Sequence, residues 1–183
     1  MTTIDKHIFS HFPIDYNGAI WEKLTKLDFS GRTELPKDIL CFLEKGIIRK
    51  YFPDKGSESQ QEFSVDFYFS GDIFTAKADN DIEQQFIYKP IGKGTLWFIT
   101  MDEVRKMFFE SQLCSATQKV FMEERLREKT MREILLLRTS PSELYQYLLD
   151  NKPKYIQSVP LKYLASYMGI TPQALSRIRK RIS

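Results

Sequence analysis

The sequence predicts an α+β protein with a β-rich N-terminal part and a helical C-terminal part. Residues 29–100 contain short runs rich in aromatic and β-branched side chains, and Gly, Pro, Asn and Asp separate these runs. Beyond Asp102 glycine is absent until Gly169, and apolar residues recur at intervals of three and four. We therefore expect a β-sandwich or small barrel that is followed by several helices.

Five runs in the β-rich part predict strands. They lie at 39–42, 47–52, 63–69, 86–88 and 96–99. Because turn-forming residues occupy 44–46, 53–57, 70–72, 78–81 and 91–94, we expect the chain to turn there. Before these strands the apolar residues of 18–27 have helical spacing, which predicts a first helix.

Charge is distributed unevenly along the 183 residues, although the net charge is only +3. Residues 1–111 carry 14 basic and 18 acidic side chains, whereas residues 112–183 carry 13 basic and 6 acidic ones. The last segment, 151–183, has seven basic residues and no acidic one. A basic terminus of this kind indicates a polyanion partner, and a solvated basic face is the simpler alternative.

The composition is that of an ordinary globular protein, and the length fits one domain or two small ones. No run approaches the roughly 20 apolar residues of a membrane span. The N-terminal residues lack the basic and then apolar character of a secretory signal. We therefore expect a cytoplasmic protein with no membrane partner.

Metal and catalytic chemistry have little support in the sequence. Cys41 and Cys114 form no Cys-x-x-Cys pair, which excludes zinc, iron–sulfur and disulfide frameworks. His7 and His11 stand four apart, a spacing that can bind metal, but no third ligand is near. Cys114 is either a small core residue or a redox-sensitive thiol. We find no nucleophile or phosphate-loop motif and expect no enzyme and no metal site.

A long helix is predicted at 110–138. Its apolar positions follow a rough seven-residue rhythm, which Glu123 and Arg127 interrupt. They are Leu113, Ala116, Val120, Leu126, Ile134 and Leu137. This stripe packs on the β-rich part, forms the interface of a dimer, or does both. Ser140, Pro141 and Glu143 then form a capping box, which starts a further helix that ends near 150.

The C-terminal segment has the pattern of a helix-turn-helix. A helix at 161–168 ends at Gly169, which enters the left-handed backbone region at little cost. Thr171 caps a second helix with Pro172 in its first position. Leu164, Ala165, Met168, Leu175 and Ile178 fit the buried sites. A plain helical hairpin is the alternative, although it would not require so basic an outer face.

The second helix supplies the predicted DNA contacts. Gln173 can form a bidentate amide pair with adenine, and Arg177 a bidentate pair with guanine. Ser176 lies on the same outer side, and Thr171 lies at the start of the helix. Three further basic residues are predicted phosphate contacts: Lys162, Lys180 and Arg181.

Together, segments 40–51, 140–153 and 164–177 resemble the Crp/Fnr superfamily, the relatives of the bacterial cyclic-AMP receptor protein, and in particular its short Bacteroidetes-type members. The resemblance implies a cyclic-nucleotide-binding-type β-roll, or double-stranded β-helix, at 1–111. It further implies a dimerisation helix at 112–138 and a winged-helix-like helix-turn-helix domain at 139–183. A homodimer that binds double-stranded DNA, responds to a small effector and acts on RNA polymerase would follow.

Two departures from the family pattern shape the expectation. In the phosphate cassette only Gly71 and Asp72 are retained, and the later stretch 81–86 lacks arginine and contains Glu83, whose charge repels a cyclic phosphate. We therefore expect an effector other than cyclic AMP, or none, with Gly71 and Asp72 as the predicted pocket residues. The chain ends at Ser183, so no wing is expected after the second helix.

The sequence thus predicts a dimeric, sequence-specific transcription regulator. The alternative is a ligand-sensing or protein-interaction scaffold whose helix-turn-helix no longer recognises DNA.

Overall fold

The computed structural model describes residues 23–53, 61–76, 86–109 and 112–182, which form five strands and six helices. The strands are β1 (Thr25–Phe29), β2 (Ile39–Pro53), β3 (Glu62–Phe69), β4 (Ile73–Ala76) and β5 (Ile87–Thr100). The helices are α1 (Met101–Phe109), α2 (Gln112–Arg138), α3 (Pro141–Asn151), α4 (Pro153–Ser158), α5 (Leu161–Tyr167) and α6 (Pro172–Ile182). The predicted α+β class is confirmed.

All five strands belong to one sheet. Its order is β1-β5-β2-β3, and β4 pairs with β2 outside this path. β1 is antiparallel to β5, with Thr25 opposite Phe98 and Phe29 opposite Gly94. β2 is antiparallel to β4, with Ile39 opposite Ala76. Strand β3 is therefore at one end of the order, a position that matters for the helices described below.

The turns predicted at 44–46 and 91–94 are wrong, because β2 and β5 run unbroken through them. The glycines there serve close packing. A Cβ on Gly94 would lie 2.1 Å from the Lys45 carbonyl oxygen and 2.5 Å from Cζ of Phe29. A Cβ on Gly46, whose φ is 110°, would lie 2.9 Å from the same Phe29 atom. Glycine thus lets the two strands approach each other beside a buried ring.

The helix predictions are partly confirmed. The helix predicted at 18–27 is wrong over 25–27, which pair with β5 as strand β1, and 18–22 lie outside the described residues. Of the helix predicted at 110–138, α2 covers all but 110–111, which are also outside. α3 begins as predicted: the Glu143 N–H donates to Ser140 Oγ at 3.3 Å, and the Ser140 N–H donates to the Glu143 carboxylate at 2.7 Å. These bonds lower the pKa of Glu143. The short helix α4 was not predicted.

The described residues fall into two compact units. The first is the described part of Met1–Ile48, Tyr68–Ala78 and Lys89–Arg125. Its core includes Ile39, Cys41, Leu43, Ile48 and Leu96, each 1% exposed or less. Burial raises the pKa of the Cys41 thiol well above its usual range, so this cysteine stays protonated and unreactive.

The second unit is the described part of Arg49–Phe67, Asp79–Tyr88 and Leu126–Ser183. Its core includes Leu144, Leu148, Leu164, Ala165 and Leu175, each 4% exposed or less. The division at 111/112 and 138/139 stays a prediction. Among the helices in the described ranges, none is both long and apolar enough to cross a membrane.

We expect Gly94→Ala to destabilise the protein by about 2–3 kcal/mol, because its methyl group would overlap the Lys45 carbonyl and the Phe29 ring. Gly31→Ala is the matched control. The nearest atoms to its Cβ would be 3.8 Å away, so we expect a change within about 0.5 kcal/mol. Denaturant unfolding measures both, and equal stabilities would contradict the packing role of Gly94.

Candidate nucleic-acid interface

A tight turn joins α5 and α6. The Ile170 N–H donates to the Ala165 carbonyl at 3.0 Å, and the Gly169 N–H donates to the Ser166 carbonyl at 3.2 Å. Gly169 has a φ of 70°, as the Schellman motif requires. Thr171 Oγ1 then accepts the Ala174 N–H at 3.2 Å and caps α6. The predicted glycine stop and threonine cap are both confirmed.

Apolar side chains hold α6 on its neighbours α5 and α3. Leu164, Ala165 and Leu175 are fully buried, and Ile178 is nearly so. At the far end, the Arg181 guanidinium donates to the hydroxyl of Ser142 on α3. Because one side of α6 is fixed in this way, its other side is directed to solvent.

Three of the residues predicted to contact DNA lie together on that outer side of α6. Gln173, Arg177 and Lys180 are exposed at positions i, i+4 and i+7 of α6, which share one face. Ser176 is half-buried beside them. Lys162 on α5, Thr171 at the cap and Arg181 are exposed as well, although Arg181 has the partner described above. The arrangement presents an amide, a guanidinium and an ammonium group on a single helix face.

The same unit contains a buried arginine that we did not predict. Arg49 on β2 is 2% exposed. Its Nε donates to Ser64 Oγ at 2.8 Å, and its Nη1 pairs with the Glu62 carboxylate at 2.5 Å. The rings of Tyr51 and Tyr163 lie 4.5 and 4.1 Å from the guanidinium carbon. Because a buried charge is costly without partners, these five residues form one interdependent set, the Arg49 cluster.

Ser166 links α5 to β3 beside this cluster. Its Oγ accepts the Ser64 N–H at 2.8 Å and donates to the Glu62 carbonyl at 2.8 Å. One hydroxyl thus bonds both a backbone donor and a backbone acceptor of the strand at the end of the sheet order. It satisfies groups that a further strand would otherwise pair.

An aromatic cluster, formed by Phe67, Tyr155 and Tyr167, makes a second link between β3 and the helices. Their ring centroids are 5.3 to 5.7 Å apart. The Tyr155 hydroxyl donates to the Asp66 carboxylate at 3.0 Å, and Arg132 on α2 donates to the Tyr167 carbonyl at 2.9 Å. Burial, above all, raises the pKa of Tyr167 to about 12, so the phenol is neutral at physiological pH.

The predicted pocket residues Gly71 and Asp72 lie in the turn between β3 and β4. Asp72 accepts the Phe69 N–H at 2.8 Å, and Gly71, with a φ of 96°, donates to the Leu43 carbonyl at 2.8 Å. Both residues have a role in forming the turn, and their role toward an effector stays a prediction. Glu83, His7 and His11 lie outside the described residues, as does the side chain of Cys114.

Comparison by sequence finds no matching protein-family model and no matching curated protein. Comparison of structures finds many matches. A putative transcriptional regulator of the Crp/Fnr family from Eubacterium rectale matches with a TM-score of 0.71 at 15% identity, covering 96% of this chain and 87% of its own.

Two further regulators are similar. FixK2 from Bradyrhizobium japonicum has a TM-score of 0.69 at 16% identity, with 87% of this chain and 84% of its own covered. The c-di-GMP responsive global regulator CLP from Xanthomonas campestris has a TM-score of 0.62 at 14% identity. The match covers 97% of this chain and 91% of the CLP chain. The chain therefore has the fold of Crp/Fnr-type transcription regulators.

Proposed function

We propose that this protein is a dimeric transcription regulator that binds double-stranded DNA through α6, with α5 and α6 acting as a helix-turn-helix. The observation that carries the proposal is the division of α6 into two sides. Leu175 and Ile178 are buried, whereas Gln173, Arg177 and Lys180 are exposed together. An amide and a guanidinium on one helix face can pair with adenine and guanine edges in the major groove.

Electrostatics supports a nucleic-acid partner. Segment 151–183, which contains α4 to α6, has seven basic residues and no acidic one. Lys162 and Lys180 are exposed and carry charges that neutralise phosphates, which releases counterions. Arg181 is exposed too and can contact a phosphate from its place beside α3.

An apolar stripe on α2 supports the homodimer. Leu126, Ile134 and Leu137 are 67%, 42% and 80% exposed. Spacings of 8 and 11 residues place all three on one side of a helix. Since such residues gain stability by burial, we propose that the stripe packs against the same stripe of a second copy, as the dimer prediction required. Two copies of α6 would then bind two related half-sites.

The effector stays open in this proposal. The retained cassette residues lack an arginine partner for a cyclic phosphate, so we propose an effector other than cyclic AMP, or none. CLP, described as c-di-GMP responsive, has a similar fold. A regulator of this kind would act on RNA polymerase.

Selection of duplexes from a random DNA pool tests the function. The purified protein is used at two salt concentrations, with and without cyclic AMP. We expect a two-fold symmetric motif with half-sites about 34 Å apart or a multiple of that. Salt-sensitive binding without a motif would contradict the proposal and favour a scaffold. Dependence on cyclic AMP would overturn our inference about the effector.

Arg177→Ala and Lys180→Ala should weaken binding in different ways. Loss of the Arg177 guanidinium should reduce the free energy of DNA binding by about 1–3 kcal/mol and weaken the preference for one base at its position. Lys180→Ala should weaken all sequences alike and lower the salt slope by about one. Lys93→Ala, an exposed charge on β5, is the control and should leave affinity unchanged. Fluorescence anisotropy on selected and scrambled duplexes measures this, and equal losses on both duplexes for both α6 variants would refute the division of roles.

Leu137→Glu should weaken the dimer by about 3 kcal/mol or more, because both copies lose a buried leucine and gain a charge. Leu149→Glu replaces an exposed leucine on α3, outside the stripe, and should leave the dimer intact. Sedimentation equilibrium gives the dissociation constants. A Leu137→Glu protein that remains as dimeric as the control would place the interface elsewhere.

A further inference from the structure

We propose that Arg49 is a positioning residue for DNA recognition: it holds α5, and through the Gly169 turn α6, against the β2–β3 strand pair. The inference rests on the proposed function, since its consequence is measured in DNA binding. Arg49 is 2% exposed, so it acts through other residues and not by contact with DNA.

Tyr163 and Ser166 attach α5 to the strand pair, beside the ring contact of Tyr167 with Phe67. Tyr163 places its ring 4.1 Å from the Arg49 guanidinium, whose other contacts are with β2 and β3. Ser166 adds its two backbone bonds of 2.8 Å. Loss of the planar guanidinium would remove the surface on which the Tyr163 ring rests and leave the Glu62 carboxylate without its partner.

A cavity lies next to the contacts of Arg49 and Ser166. It has a volume of about 550 Å³ and lies between residues of the strand pair and the start of α6. Gln61 and Phe63 line one side, and Lys162, Ile170 and Thr171 line the other. Arg49, Tyr163 and Ser166 line the same cavity, so their contacts connect its strand side with its helix side.

The orientation of α5 sets that of α6. The fully buried side chains of Leu164, Ala165 and Leu175 join the two helices, and the Schellman turn at Gly169 fixes the angle between them. A shift of α5 on β3 therefore moves the exposed face of α6 as a rigid element.

Binding to one half-site and binding to two half-sites depend differently on the position of α6. Binding to one half-site needs only the side chains of a single α6. Binding to two half-sites also needs each α6 held in a fixed place, because the spacing of the DNA is fixed. Arg49 should therefore control spacing preference more than base preference.

The experiment uses full-length protein and the motif that the wild type selects. We expect Arg49→Lys, which keeps the charge but loses the planar fork, to lower affinity for the two-half-site duplex by about threefold to thirtyfold. Discrimination against spacings altered by one base pair should fall to a similar degree. Affinity for a single half-site and the salt dependence of binding should stay at wild-type values. A general loss of folding would lower the single-half-site affinity, and loss of a phosphate contact would lower the salt dependence.

Tyr163 offers a matched pair of variants. Tyr163→Phe keeps the ring face and should behave as wild type, whereas Tyr163→Leu should behave as Arg49→Lys. If Arg49→Lys does not fold, Ser166→Ala, which removes the two bonds to β3, decides in the same way. A folded Arg49→Lys protein with unchanged spacing preference overturns this inference alone. A wild type that selects no motif overturns the proposed function and this inference with it.

Discussion

The buried guanidinium of Arg49 is the constraint around which the second unit is arranged. A charge withdrawn from water costs several kcal/mol unless hydrogen-bond and ionic partners surround it. Glu62, Ser64 and two tyrosine rings meet this requirement here. One of these rings, that of Tyr163, belongs to α5. The burial of an arginine on β2 therefore depends on a helix far along the chain. The nearby bond between Ser64 and Ser166 joins residues 102 positions apart.

Two kinds of contact coexist in this unit, and they differ in how they can come apart. The α5–α6 pair is held by fully buried apolar side chains, which separate only with a large loss of hydrophobic free energy. The attachment of α5 to β3 combines polar contacts around Arg49 and Ser166 with the buried ring contact between Tyr167 and Phe67. Its polar groups can be hydrated when they separate, whereas its two rings would lose a buried contact. The helix pair is thus joined internally by apolar packing and is held on β3 by polar and aromatic contacts together.

Local chemistry made the C-terminal part predictable. The capping box of Ser140 and Glu143, the glycine stop at Gly169 and the Thr171 cap each depend on residues within a few positions of one another. The exposed face of α6 followed from helical periodicity alone. These are the features that placed Gln173, Arg177 and Lys180 together.

Long-range packing limited the rest. Gly46 and Gly94 have the chemistry of turns, yet each is required by the ring of Phe29, a contact that no local pattern contains. Arg49 was missed because one basic residue in a strand usually faces solvent. Its position within an aromatic and aliphatic run, 47–52, was the available signal. The residues that bury it come from β3 and α5, and only the tertiary structure identifies them.

Hydrogen exchange at the Ser64 amide reports whether α5 rests on β3, since this N–H donates to Ser166 Oγ. We expect strong protection in the free wild-type protein and a marked loss of protection at this amide in Ser166→Ala, with the amides of α5 and α6 still protected. A Ser64 amide that exchanges in the wild type as fast as an unstructured residue would show that Ser166 does not hold α5 on β3.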